Sequence, residues 1–417
     1  MKKVLLMGLT ALLAAACSQE EEKTSTLESS VQVPIEFDVV ANSNTTRGSL
    51  EATEEFSLND VAVFCLAKNV MNEGVAAGLK KAYIKYDNSN NAVNGVNVND
   101  LVMWKFNESA KISSTVQPGK GILEWDNGRS NFYPKDQYFN YEFFAYYPKT
   151  DDVVASTYTI TPRIRIDGST DVIYAISEEA SDDPNGWAFS WKYFRDYATP
   201  AKPYFKFKHL LSKLNFQVKL NRESDEDLRV DRIYIENMYN IVKPIYRRAD
   251  KRTEFETQRA ALTNSYWPYD TSSKALFELR EKDNSTISGQ TGRGGGYKYA
   301  LSTTAVKVGD CIMIPPIIRL AATGGAYKAA NHGHVLTVKV DVKNELDETY
   351  TFSFKLTPPE SSNEENGWLE GKQYNVLLTV DPTKAETPAL ILFDAQVSEL
   401  EGWEDASSDP TVTAVED

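Results

Sequence analysis

Apolar side chains recur at every second residue through most of this chain, and a stripe at helical spacing is almost nowhere present. Leu336, Val338, Val340 and Val342 alternate with polar neighbours, and Tyr350, Phe352, Phe354 and Leu356 repeat the pattern after the polar turn from Asn344 to Glu348. Successive side chains on a strand point to opposite faces, so each run offers one apolar face, and the turn between the two predicts a hairpin. Tyr374, Val376, Leu378 and Val380 form a further such run. Tyr158, Ile160, Pro162, Ile164 and Ile166 form another, opposite Thr159, Thr161, Arg163 and Arg165. Clusters of Gly, Pro, Asn and Asp separate these short runs. With 417 residues and aromatic content weighted to Tyr (22) and Phe (18), the chain has enough apolar surface for more than one core. The pattern predicts an all-β protein of two β-sandwich domains in tandem, over residues 31–203 and 204–403.

Two runs carry more detail. From Tyr204 to Leu220 the apolar residues are first Phe205 and Phe207, with His209 in phase, and then Leu214, Phe216, Val218 and Leu220. The inward face therefore changes parity between Leu210 and Lys213, which predicts a bulge or short turn there. The boundary between the domains is expected at the end of the irregular connection from Ser177 to Pro203. The first strand places Val31, Val33, Ile35, Phe37 and Val39 on one face and Gln32, Pro34, Glu36 and Asp38 on the other. Pro34 has no N–H to donate, so an edge position is expected. A polar stretch from Ala41 to Thr46 follows, then Arg47 and Gly48, a place where a trypsin-like protease would cut between the strand and the rest of the chain.

The N-terminus reads as an export signal. Lys2 and Lys3 precede a short apolar run from Val4 to Ala16 that has the length and flanks of a secretory leader rather than of a membrane span. Ala14-Ala15-Ala16-Cys17 resembles a bacterial lipoprotein signal in which Cys17 carries the lipid, with Leu13 one place further from the cysteine than usual. Residues 17–30 are an acidic tether, and Ser18-Gln19-Glu20-Glu21-Glu22 resembles the signal that sends some lipoproteins to the outer face of the outer membrane. A net charge of −14 disfavours nucleic acid and anionic lipid as partners, which leaves the lipid anchor as the expected link to a membrane. Cys65 and Cys311 lie in separate apolar runs and are expected as buried thiols.

No catalytic residue, cofactor or metal is predicted. The sequence contains no G-x-S-x-G, H-E-x-x-H or EF-hand pattern, and its cysteines lack zinc spacing. Gly292-Arg293-Gly294-Gly295-Gly296 lacks the Lys-Ser/Thr of a phosphate loop and reads as a flexible hairpin tip. His332 and His334 alternate onto one strand face without a third ligand nearby, and His209 reads as a satisfied, half-buried side chain. Seven tryptophans (Trp104, Trp125, Trp187, Trp191, Trp267, Trp368 and Trp403) leave a surface glycan-binding lipoprotein as the alternative function, since sugars stack on exposed rings. The acidic segment 404–417 closes the chain.

Several segments together resemble fimbrillin-like proteins, the building units of type V pili. Phe205-Lys-Phe207-Lys-His209-Leu-Leu-Ser-Lys-Leu214-Asn-Phe216 is similar to the family's F-x-H-x-x-S-K-L-x-F segment. Phe143-Phe144-Ala145-Tyr146-Tyr147-Pro148, Asp171-Val-Ile-Tyr174-Ala175, Ile312-Met-Ile-Pro315 and Trp368-Leu-Glu-Gly371-Lys-Gln-Tyr374 follow in the family's order. The resemblance implies two transthyretin-like β-sandwich domains and a lipoprotein precursor displayed on the outer membrane. It also implies an arginine-specific surface protease that cuts at Arg47–Gly48, matched here by Thr46-Arg47. Other pilin subunits are then the expected partners, each filling the vacated sheet position with a strand of its own. The chain departs from stalk subunits in its short acidic tail, where Thr411 to Val415 is the single strand-like piece, so a tip or accessory subunit is expected. Such a subunit would also meet a host or glycan ligand.

Overall fold

The computed structural model describes residues 32–41, 57–70, 85–86, 92–93, 102–114, 120–126, 128, 130–133, 139–155, 159–177, 189–196, 202–247, 268–288, 297–320, 335–358, 365–384, 392–394 and 396–400. The first strands are β1 (Phe37–Ala41), β2 (Leu58–Val70), the short pair β3 (Lys85–Tyr86) and β4 (Ala92–Val93), β5 (Val102–Ser114), β6 (Lys120–Trp125) and β7 (Phe139–Tyr147). Next come β8 (Val153–Ala155), β9 (Thr159–Pro162), β10 (Ile164–Arg165), β11 (Ile173–Ile176), the helix α1 (Trp191–Asp196) and β12 (Tyr204–His209). Then follow β13 (Ser212–Leu220), β14 (Arg229–Tyr239), β15 (Ile241–Val242), β16 (Tyr246–Arg247), β17 (Lys274–Glu278), β18 (Val306–Ile314) and β19 (Ile317–Leu320). The last are β20 (Leu336–Lys343), β21 (Thr349–Leu356), β22 (Glu365–Trp368), β23 (Gln373–Val380), β24 (Leu392–Asp394) and β25 (Gln396–Leu400).

The architecture is all-β. Its first unit is a seven-stranded closed barrel in the order β1-β12-β11-β7-β2-β5-β6, where two separate sheets were expected. The second unit packs a four-stranded sheet, β18-β13-β23-β25, and a five-stranded sheet, β17-β14-β20-β21-β24, around a common core. The predicted hairpin is β20–β21, with Leu336 opposite Leu356, Val338 opposite Phe354, Val340 opposite Phe352 and Val342 opposite Tyr350. Its turn is held by Asn344, whose Oδ1 accepts hydrogen bonds from the backbone N–H groups of Leu346 and Glu348, each at 3.0 Å.

Along β2 and β7 the barrel wall is apolar on both faces because both are covered there. Every residue from Val61 to Leu66 of β2 is buried. Val61, Val63 and Cys65 point into the barrel, whereas Ala62, Phe64 and Leu66 join the second, larger core. β7 divides the same way: Tyr141, Phe143 and Ala145 face inward, and Phe144 and Tyr146 face outward. The outer cover includes β8–β9 and β16, with the Tyr246 ring 5.5 Å from that of Phe144. Because β9 pairs with β16 and β10 with β15, strands from the two halves of the sequence interlock.

The parity change near residue 211 marks a crossing between sheets. β12, expected to open the second unit at residue 204, belongs to the barrel, paired with β1 and β11. β13 belongs to the sandwich. Leu210, Leu211, Ser212, Lys213 and Leu214 are all buried as the chain passes from one to the other. Cys65 and Cys311 lie in different cores as buried thiols, without a disulfide between them. The Ser177–Pro203 connection, read as irregular, contains the helix α1. Among the described residues no helix is long and apolar enough to cross a membrane.

Candidate strand-acceptor site

The alternation read in the first strand is present from Gln32 to Val39, Val31 lying outside the described residues. Val33, Ile35, Phe37 and Val39 are buried, at 8%, 3%, 1% and 1% exposure, while Gln32, Pro34, Glu36 and Asp38 are exposed. The expected edge position is not what the strand occupies. β1 runs antiparallel to β6, with Phe37 opposite Leu123 and Val39 opposite Gly121, and parallel to β12, with Val39 opposite Phe205 and Ala41 opposite Phe207. It closes the barrel. Pro34 is accommodated because it precedes this doubly paired stretch. Across from Phe132, the bonds run from Ile35 N to Asn131 O (2.7 Å) and from Tyr133 N to Val33 O (2.9 Å), so no N–H is required of the proline.

The inward face of β1 fills the barrel core. The Phe37 ring stacks on Phe205 at 4.9 Å and meets the edges of Phe143 at 4.8 Å and Trp125 at 5.8 Å. Trp125 Nε1 donates to the Ile35 carbonyl at 3.3 Å, so one indole both packs on the strand and bonds its backbone. Tyr133, stacked on Phe194 at 4.9 Å, lines the same core, and burial pushes its phenol well above the usual range. On the outside, Glu36 accepts from Lys202 at 2.5 Å, and this bond raises the lysine's pKa. Burying four such side chains contributes on the order of 6–12 kcal/mol as an upper bound. Withdrawing β1 would expose that apolar trough together with the unpaired backbone edges of β6 and β12, the two features that strand addition satisfies.

Cys17, Arg47 and Gly48 lie outside the described residues, as do Thr46, His332, His334 and the glycine-rich segment 292–296. Trp125, Trp191 and Trp368 are buried, so none of these three offers a ring face to a sugar.

The other motif residues build the joint between barrel and sandwich. His209 Nδ1 lies 2.6 Å from Asp171 Oδ2, both side chains being 4% exposed. Ser212 Oγ donates to the Leu369 carbonyl at 2.7 Å, and Tyr174 Oη donates to Glu370 at 2.5 Å. Trp368 packs edge-on against Tyr374 at 5.0 Å, and the Tyr374 hydroxyl donates to Gly367 O and accepts from Leu369 N. Gly371 bonds to the Leu211 carbonyl with φ +68°, a backbone conformation that favours glycine. These segments hold the joint together. The Asp171–His209 pairing was missed in the sequence, where its members stand in separate runs.

The model of fimbrillin-like proteins matches residues 86–397. The chain belongs to the fimbrillin-like family. The match takes in the barrel strands from β5 onward and the sandwich as far as the first residues of β25, and it begins after β1 and β2. Solved structures to which this fimbrillin-like chain is similar include a fimbrial protein from Bacteroides vulgatus, at 15% identity over 88% of this chain and 99% of that one, with TM-score 0.42. A Bacteroides uniformis protein assigned to cell adhesion shares 13% identity over 89% and 98%, with TM-score 0.41. The fimbrial anchor protein Mfa2 of Porphyromonas gingivalis shares 8% over 83% and 90%, with TM-score 0.28. No match is found among curated proteins.

Proposed function

We propose that this chain is a structural, non-catalytic subunit of a surface pilus of type V, at the tip or in an accessory position, joined to its neighbours by strand exchange. In this reading Cys17 carries the lipid that takes the precursor to the outer membrane. An arginine-specific protease then cuts at Arg47–Gly48, and β1 leaves with the tether. A strand from another pilin subunit takes its place between β6 and β12. The transthyretin-like tandem implied by the family belongs to the same proposal.

The observation that carries it is the position of β1. The strand is enclosed on both sides and fills the barrel core, yet its sequence leads within a few residues to a lone arginine in a polar stretch. A single cut there would separate the strand from everything that holds the sandwich together.

The test uses the unlipidated precursor and an arginine-specific protease, with other pilin subunits of the same cell present. The expected result is a product beginning at Gly48, entry of that product into assemblies on a gel, and loss of the N-terminal fragment. An Arg47→Ala precursor that enters assemblies as well as the unaltered chain would overturn the role of this arginine.

A further inference from the structure

We infer that Asn131 selects the strand that replaces β1, favouring one with a hydroxyl or amide side chain in the place of Ile35; the inference rests on the strand-exchange reading above. The Pro34–Phe132 bridge is antiparallel, so Val33 stands opposite Tyr133 and Ile35 opposite Asn131. Directly opposed side chains on one face of such a pair lie within contact range of each other. Pro34 and Phe132 point outward, Phe132 being 38% exposed, whereas Asn131 and Tyr133 are buried. Asn131 is 9% exposed, and its Nδ2 is a buried donor without an acceptor.

The resident strand does not supply one. Ile35 has no polar side-chain atom, and its carbonyl already accepts from Trp125 Nε1. The rest of the cavity is matched to β1: Phe37 meets three rings, and Val33 and Val39 lie in the same apolar cluster. A buried amide facing an isoleucine is thus a polar mismatch within an otherwise apolar face. Leaving a buried donor unsatisfied costs its desolvation, and a strand that brings an oxygen to that point recovers it. The resident strand is in this way held less well than a replacement can be, which gives exchange a downhill direction.

The test is a double-mutant cycle in the intact chain, with Ile35→Val or Ile35→Thr placed in the Asn131 and Asn131→Leu backgrounds. Valine and threonine share a shape, so their difference reports the hydroxyl. Denaturant unfolding should favour threonine with Asn131, relative to Asn131→Leu, by roughly fivefold in the unfolding equilibrium constant. An equal cost of threonine in both backgrounds would overturn the pairing. After cleavage at Arg47, labelled peptides copying residues 31–41 and carrying I35T or I35V are then competed for the vacated site. The I35T peptide should be retained roughly fivefold better on the Asn131 protein and lose that advantage on Asn131→Leu. Equal preference on both proteins overturns selection by Asn131. A coupled cycle with no peptide exchange at all places the failure in strand exchange itself, and selection falls with it.

Discussion

β1 and β13 occupy equivalent positions in their sheets and are held very differently. Each has a parallel neighbour on one side and an antiparallel one on the other: β12 and β6 for β1, β23 and β18 for β13. Both alternate, and both bury inward side chains, Phe37 and Val39 in β1 and Leu214, Phe216, Val218 and Leu220 in β13. β13 is nonetheless paired in register with β23 from Lys213 to Leu220, whereas β1 pairs over four positions on each side. Its inward residues, Leu214, Phe216, Val218 and Leu220, belong to the core that runs from the sandwich to the outer wall of the barrel. Those of β1 serve the barrel interior alone. On the strand-exchange proposal, a central position in a sheet does not by itself make a strand permanent. Ladder length, the number of cores served and the distance to a cuttable bond decide that.

The largest effect expected is from Phe216→Ala, which should lower stability by about 3–5 kcal/mol and loosen both units together, since they share the core it damages. Guanidinium unfolding followed by hydrogen exchange would check this; loss of protection in the sandwich alone would break the comparison. Phe37→Ala should cost about 3 kcal/mol and be confined to the barrel, with the amides of β13 keeping their protection. The next expectation concerns the thiols. Displacing β1 after a cut at Arg47 should open Cys65 to alkylation, because it shares the core that β1 fills, and leave Cys311 closed. Burial pushes the Cys311 thiol from an ordinary 9.0 up to about 12, so it stays protonated at neutral pH. The sign follows from linkage: stability owed to this group is whole below pH 9 and is lost as pH rises toward 12, where the unfolded chain ionises first. Smallest of all is Glu36→Gln on the outer face of β1. It removes an exposed ion pair with Lys202 and should change stability by about 0–1 kcal/mol, measurable as a small shift in the unfolding midpoint.

Much of this was legible in the sequence because alternation is a local signal. The inward and outward sets of β1, β20, β21 and β23 follow from the period of two, and the β20–β21 register follows once the turn is found. Barrel closure was not legible, because it depends on β1 pairing in parallel with β12, a strand far along the chain that no turn connects to it. The same non-locality hid the Asp171–His209 pair and Asn131, whose meaning depends on what stands across from it. The change of parity at Leu210–Lys213 was visible as a break in pattern. Its cause, a passage from one sheet to another with both ends buried, needed the three-dimensional arrangement. The cover over the outer barrel wall was half visible: Phe143 to Tyr147 is too apolar for a strand with one wet face.

The most direct test of a separable β1 is an exchange measurement on protein cut after Arg47. The resident fragment is challenged with an isotope-labelled peptide copying residues 31–41, and native mass spectrometry follows which one is bound while hydrogen exchange follows β13. A separable strand predicts that labelled peptide replaces the resident fragment one for one, with β13 protected throughout. A fragment that leaves only when β13 also loses protection would contradict it.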